Sequence, residues 1–251
     1  MDRAIYTAMG AANAALNRQA VTSNNLANAT TTGFRAQLAA FRAVPVNGPS
    51  VATRTLVTES TPYHDDSMGA INQTGRNLDV ALPQNGWLAV ALPDGTEAYT
   101  RAGNIAVDSE GLLSIRGMPV LGDGGQINVP PQSELTIAPD GTITALGAGD
   151  EPTALAQVGR LKMVNSPLQD LTHGDDGLFH ISPQSPNAGL AQLPADPDLQ
   201  LIPGALESSN VNPAKSMVDM IATARGFDMN MKVISAVDDN EKKANQLLSM
   251  G

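Results

Sequence analysis

Apolar residues recur at helical spacing at the two ends of the chain and at strand spacing between them. Ile5, Met9, Ala12, Leu16 and Ala20 fall three or four positions apart, the stripe of an amphipathic helix over residues 2–28. Asp2 sits in the first turn, where negative charge suits the helix dipole. Thr30-Thr31-Thr32-Gly33 then supplies poor helix formers and a terminator. Near the other end, Asn212-Pro213 offers an N-cap and a first-turn proline. Met217, Ile221, Ala224, Phe227, Met231, Ile234 and Val237 follow at three or four, and Ala244 and Leu248 resume the series, predicting a helix over 213–249. At ~1.5 Å per residue these rods are about 40 and 55 Å long. Both stripes are too thin to hold an isolated helix in water. Each therefore needs a partner, and the longer helix needs one beyond the shorter.

The middle changes to period two. Leu78/Val80/Leu82, Leu113/Ile115, Ile127/Val129, Leu135/Ile137 and Leu161/Met163 alternate, separated by Asn85-Gly86, Asp94-Gly95, Asp123-Gly124 and Asp140-Gly141. These dipeptides supply the positive φ of tight turns, so an antiparallel β domain is expected over 77–205. Residues 35–76 show weak periodicity and read as a linker. Residues 183–197, with Pro183, Pro186, Pro194 and Pro197, read as loop.

Composition narrows the chemistry. The 251 residues carry a net charge of −10 with no basic cluster, a poor match to nucleic acid or to anionic membranes. There is no cysteine, which removes disulfides and thiol chemistry. No run of 18 apolar residues is present, so no membrane insertion is expected. The opening residues Met1-Asp2-Arg3-Ala4-Ile5-Tyr6 lack the basic and apolar regions of a cleaved leader, so any export is expected by another route. His64 beside Asp65 and Asp66, and His173 near Asp175 and Asp176, lack a spacing that fixes ligands on one face and read as solvated loop charges. Serine-nucleophile and phosphate-loop patterns are absent. No cofactor, metal or catalytic residue is expected. A β-rich sugar hydrolase or carbohydrate-binding protein would want aromatic platforms, and aromatics are only 3% of this chain.

Asn25-Leu26-Ala27-Asn28-Ala29-Thr30-Thr31-Thr32-Gly33-Phe34-Arg35 resembles the N-terminal signature of the bacterial flagellar rod and hook proteins, with Thr32 where many members have Pro. Leu206-Glu207-Ser208-Ser209-Asn210-Val211-Asn212-Pro213 resembles their C-terminal block, continued by Met220-Ile221, Arg225-Gly226-Phe227-Asp228 and Lys232-Val233-Ile234. Gly75-Arg76-Asn77-Leu78-Asp79-Val80-Ala81, Asp94-Gly95 and Tyr99-Thr100-Arg101-Ala102-Gly103-Asn104 resemble the shared β domain. Length and opening residues fit a proximal-rod member, with a distal-rod member as the alternative.

The resemblance implies a rod subunit exported through the flagellar type III apparatus. It would join other rod subunits in a helical axial assembly across the periplasm, with terminal helices in an inner coiled-coil layer and the β domain outside. The expected fold is α+β. Residues 1–34 and 206–251 form the helical part, 35–76 the linker and 77–205 the β domain. Stripes and signature together nominate an assembly interface of Ile5, Met9, Leu16, Asn25, Leu26, Asn28, Gly33, Phe34, Asn210, Met217, Ile221, Phe227, Met231, Ile234 and Leu248.

Overall fold

The computed structural model describes residues 2–45, 55–59, 63–147 and 155–249. Helix α1 spans Asp2–Ala27 and helix α2 spans Pro213–Ser249, close to the limits the sequence predicts. Helix α1 stops two residues short of the Thr run, and Asn28 N still donates to Asn24 O at 3.1 Å. Helix α2 begins as expected: Asn212 Oδ1 accepts from Lys215 N at 3.0 Å, satisfying a first-turn amide.

The chain divides into two units. The helical unit holds Met1–Ala29, Ala36–Asp65 and Val211–Gly251; the β unit holds Thr30–Arg35 and Asp66–Asn210. The stretch expected as a linker is not featureless. Strands Phe41–Pro45 and Thr55–Glu59 pair as an antiparallel hairpin, and Gln37–Leu38 pairs with Tyr63–His64. Residues 36–65 belong with the helices, while 66–76 and 206–210 belong with the β unit.

In the helical unit α1 and α2 lie against each other. The covered or half-covered positions of α1 include Ile5, Ala8, Ala12, Ala15, Gln19, Thr22 and Leu26. Those of α2 include Ser216, Met220, Thr223, Phe227, Asn230, Ile234 and Val237. Both series alternate three and four. The polar members are accommodated locally: Thr22 Oγ1 donates to Arg18 O at 2.8 Å and Thr223 Oγ1 to Asp219 O at 2.7 Å.

The β unit is built from antiparallel strands around two aliphatic-rich clusters. A five-stranded sheet runs in the order Met163–Asn165, Gly86–Ala91, Glu97–Thr100, Phe179–Ile181, Leu171–His173. A three-stranded sheet joins Glu134–Ile137, Thr142–Leu146 and Ala156–Arg160. The turns at Asp94-Gly95 and Asp140-Gly141 fall where expected, with both glycines at φ +83°, whereas Gly86 and Gly124 do not adopt the expected positive φ and Gly125 does. Asp94 accepts from both the amide and hydroxyl of Thr96, and Asp140 from those of Thr142. Those hydrogen bonds hold both carboxyls below their ordinary pKa. The predicted Ile127/Val129 strand is reduced to a single bridge between Leu112 and Asn128, although both apolar side chains are buried. Residues 183–197 form no helix or strand.

Trp87, Tyr99 and Phe179 are buried together in the β unit. Trp87 packs on Phe179 with ring centroids 4.7 Å apart, and its indole N–H donates to Ser166 O at 2.8 Å. The Tyr99 hydroxyl donates to Glu97 at 3.0 Å and accepts from Leu193 N at 2.8 Å. Burial pushes its pKa well above the ordinary tyrosine value.

His173 stands edge-on to Phe179 at 5.0 Å. Burial lowers its imidazole pKa, with Asp176 and Asp175 opposing and His180 and Arg116 reinforcing the shift. The unfolded chain therefore takes up this proton more readily than the folded one. The neutral ring's contribution to stability is fully present above the ordinary pKa of 6.5 and is lost as pH falls below it. Thermal unfolding at pH 7.5 and 5.0 is expected to show a loss at the lower pH that shrinks in His173→Phe. An unchanged loss in that variant would assign it to other groups.

Candidate assembly site

The expected interface residues separate into two sets. The first is exposed on the helices. Met9 and Leu16 on α1 are 47% and 49% exposed, so they do not lie in the covered seam. Ala8 and Ala15, one position earlier, take that side. Hydrophobicity favours the larger side chain, but close helix packing favours the smaller. On α2, Met217, Ile221 and Met231 are exposed, with Val218, Met229 and Val233 exposed as well. Ile5, Leu26, Phe227 and Ile234 are half-buried. The side chain of Leu248 lies outside the described residues. Apolar side chains of this size gain roughly 1.5–3 kcal/mol each when fully covered. A groove of about 650 Å³ opens on the same unit, lined by small residues such as Ala11, Ala15, Ala222 and Gly226. Arg18, over the Phe41 ring at 4.9 Å, and Asp219 also line it.

The second set is engaged within the chain. Asn25 clamps the backbone of Gln37 from both sides, its amide N–H donating to Gln37 O and its Oδ1 accepting from Gln37 N, each at 2.8 Å. Asn28 Nδ2 donates to Asn24 O at 3.0 Å, closing the last turn of α1. Gly33 adopts φ +68°, and a Cβ there would fall 2.4 Å from the Arg101 carbonyl carbon, so both conformation and space require glycine. Its N–H donates to Glu207 O at 2.8 Å. Phe34 O accepts from Asn210 N at 3.3 Å, and Asn210 Nδ2 donates to Ser67 O at 2.9 Å.

At the centre of this second set lies a buried charge cluster that periodicity does not reveal. Glu207, 2% exposed, faces two buried guanidinium groups. Arg35 Nη2 meets Oε1 at 3.0 Å; Arg101 Nη2 and Nε meet Oε2 at 2.7 and 2.8 Å. Gly69 N completes the carboxylate shell, donating to Oε1 at 3.0 Å. Arg101 also donates to the carbonyls of Leu82, Pro83, Gln84 and Gly86. Arg35 donates to Asp66 O and Ser67 O. Two cations against one anion would be costly in a dry interior; the ring of carbonyl dipoles absorbs the excess positive charge. All three residues lie inside motifs quoted above. Their mutual pairing carries no sequence signal, because they are distant along the chain.

Lys162 pairs with Glu97, and His180 with Asp176 at 3.0 Å. Among the described residues, no group of three or more His, Cys, Asp or Glu is placed to hold a metal ion, and no helix is long and apolar enough to cross a membrane.

A tightly cored β unit and a separate helical unit with uncovered apolar side chains define an α+β structural subunit of the assembling kind. Residues 5–35 match the family described as flagella basal body rod protein, residues 81–145 the flagellar hook protein FlgE/F/G D1 domain, and residues 202–247 the flagellar basal body rod FlgEFG protein C-terminal region. The chain is 58% identical over 250 residues to the flagellar basal-body rod protein FlgF of Salmonella typhimurium, and likewise to that of Escherichia coli, covering all of each chain. It is 30% identical to the flagellar basal-body rod protein FlgG of Bacillus subtilis, covering 95% of this chain and 96% of the relative. The chain belongs to the flagellar basal-body rod protein family, whose members are structural and not enzymatic. Arg35, Arg101 and Glu207 come one from each of the three matched regions.

Proposed function

We propose that this chain is a structural subunit of the proximal flagellar rod. It joins other rod subunits in a helical axial assembly, is delivered by the flagellar type III export apparatus, and helps carry motor torque across the periplasm. The observation that carries this reading is the apolar stripe of α2, Met217, Ile221 and Met231, left uncovered on a chain whose β unit has a well-buried core. Val218, Met229 and Val233 form a second exposed apolar row, about a third of a turn further round the helix. Flexible thioethers in such a stripe adapt to related but unlike neighbours. A head-to-tail contact that does not close on itself extends into a tube.

The alternating three-and-four seam between α1 and α2 supports coiled-coil pairing, which neighbouring helices would extend along the uncovered stripe. The interface is then centred on Met9, Leu16, Met217, Ile221 and Met231. Asn25, Asn28, Gly33, Phe34 and Asn210 serve it indirectly, by fixing the chain where it leaves and rejoins the helices. The much higher identity to the FlgF relatives than to the FlgG relative favours a proximal over a distal position.

The test is genetic and biochemical. Purified basal bodies are expected to contain the chain, and cells deleted for its gene to lack external flagella. Normal flagella in the deletion strain would refute the reading.

A further inference from the structure

The chain passes between the helical unit and the β unit at four places: 29/30, 35/36, 65/66 and 210/211. On the β side these crossings lead into three segments, Thr30–Arg35, the start of Asp66–Asn210 and its end. The buried cluster ties all three to one another. Arg35 joins the first to the second through the carbonyls of Asp66 and Ser67, and to the third through Glu207. Gly33 N to Glu207 O and Asn210 N to Phe34 O join the first to the third again. Asn210 Nδ2 to Ser67 O, Gly69 N to Glu207 Oε1 and Ser208 N to Ala70 O join the second to the third. Arg101 anchors the far oxygen of Glu207 to the strand Glu97–Thr100 side of the sheet and to four carbonyls.

We propose that Arg35 is the pivot of a clamp that ties together the three segments of the β unit into which the chain crossings lead, so that twisting load carried along the backbone is shared among them. The proposal rests on the rod-subunit reading. The chemistry of the clamp is what distinguishes it from ordinary core packing. Apolar contacts are non-directional, so packed side chains resist separation more than sliding. A planar guanidinium holding a carboxylate and two carbonyls is directional and resists displacement sideways as well. Stability alone does not call for charge at this point, because a buried ion pair is often no more stabilising than apolar residues of similar volume.

The experiment replaces the gene at its own locus. Arg35→Lys keeps the charge but loses the fork; Asn210→Ala removes one tie at a half-buried side chain and guards against failure of the first variant to fold. Purified variants are expected to lose hydrogen-exchange protection at Gly33 and Gly69 while the strand Gly86–Ala91 keeps its own. In cells, both are expected to lose swimming in viscous medium far more than in dilute medium, out of proportion to any loss of the chain from basal bodies. Variants that swim as the parent at every viscosity would overturn the clamp. So would an equal loss of speed at all viscosities with less chain in basal bodies, which marks an assembly defect. Normal flagella in the deletion strain would instead overturn the rod reading, so the two failures are distinguishable.

Discussion

Ile221→Asp is expected to keep the chain folded and remove it from basal bodies. The side chain is 54% exposed, so a carboxylate there stays in water in the free subunit. The monomer is expected to lose no more than about 0.5 kcal/mol, the scale of surface changes. On the proposed reading, assembly covers the same position. The lost apolar burial is worth roughly 1.5–3 kcal/mol, and a desolvated, unpaired carboxylate adds several more. A loss of about 5 kcal/mol weakens each contact by three to four orders of magnitude. Circular dichroism and thermal unfolding of the purified variant should match the parent, while immunoblots of basal bodies should show the variant missing. Asn240→Asp, at an exposed polar position of the same helix, is the matched control and should be incorporated normally. A normal level of Ile221→Asp in basal bodies would remove Ile221 from the interface.

The second large effect is expected inside the β unit. Arg101→Met preserves length and apolar stem but cannot donate. It leaves the carbonyls of Leu82, Pro83, Gln84 and Gly86 without this donor, and Glu207 with only Arg35 and Gly69 N. A buried acceptor left without its donor costs about 1–3 kcal/mol, and with several orphaned together a loss of about 3–5 kcal/mol is expected. For a domain of this size that lowers Tm by roughly 10 °C. Removing Arg101 also leaves Arg35 and Glu207 matched one to one, so the loss comes from the orphaned acceptors and not from charge imbalance. Arg101→Lys separates the two explanations. It keeps the charge, yet one ammonium cannot span a carboxylate and four carbonyls, so it should be nearly as unstable as Arg101→Met. Parental stability in Arg101→Lys would show that charge alone sustains the cluster.

Much of the fold was legible because its signals are local. The N-cap at Asn212, the turns at Asp94-Gly95 and Asp140-Gly141, and the ends of both helices depend on neighbours within a few residues, and the structure places them as expected. The strand Gly86–Ala91 was not legible, because five of its six residues are buried and no alternation remains to be read. The hairpin of Phe41–Pro45 and Thr55–Glu59 carries weak periodicity because most of its described side chains are exposed and none is buried. Family resemblance pointed to Gly33 and Asn25, but what they do became visible only as contacts: Gly33 against the Arg101 backbone and Asn25 around Gln37.

By itself the sequence determined where the helices run, that an antiparallel β region lies between them, and that the chain resembles an assembling structural family. Each of these follows from periodicity, capping chemistry or contiguous motif, all properties of neighbouring residues. Only the tertiary structure decided which face of α1 is covered, setting Ala8 and Ala15 inward and leaving Met9 and Leu16 exposed. It alone brought Arg35, Arg101 and Glu207 to one point. Neither outcome is encoded locally: the first depends on how closely a second helix can approach, and the second on charges far apart in the chain that meet only when burial leaves them no water.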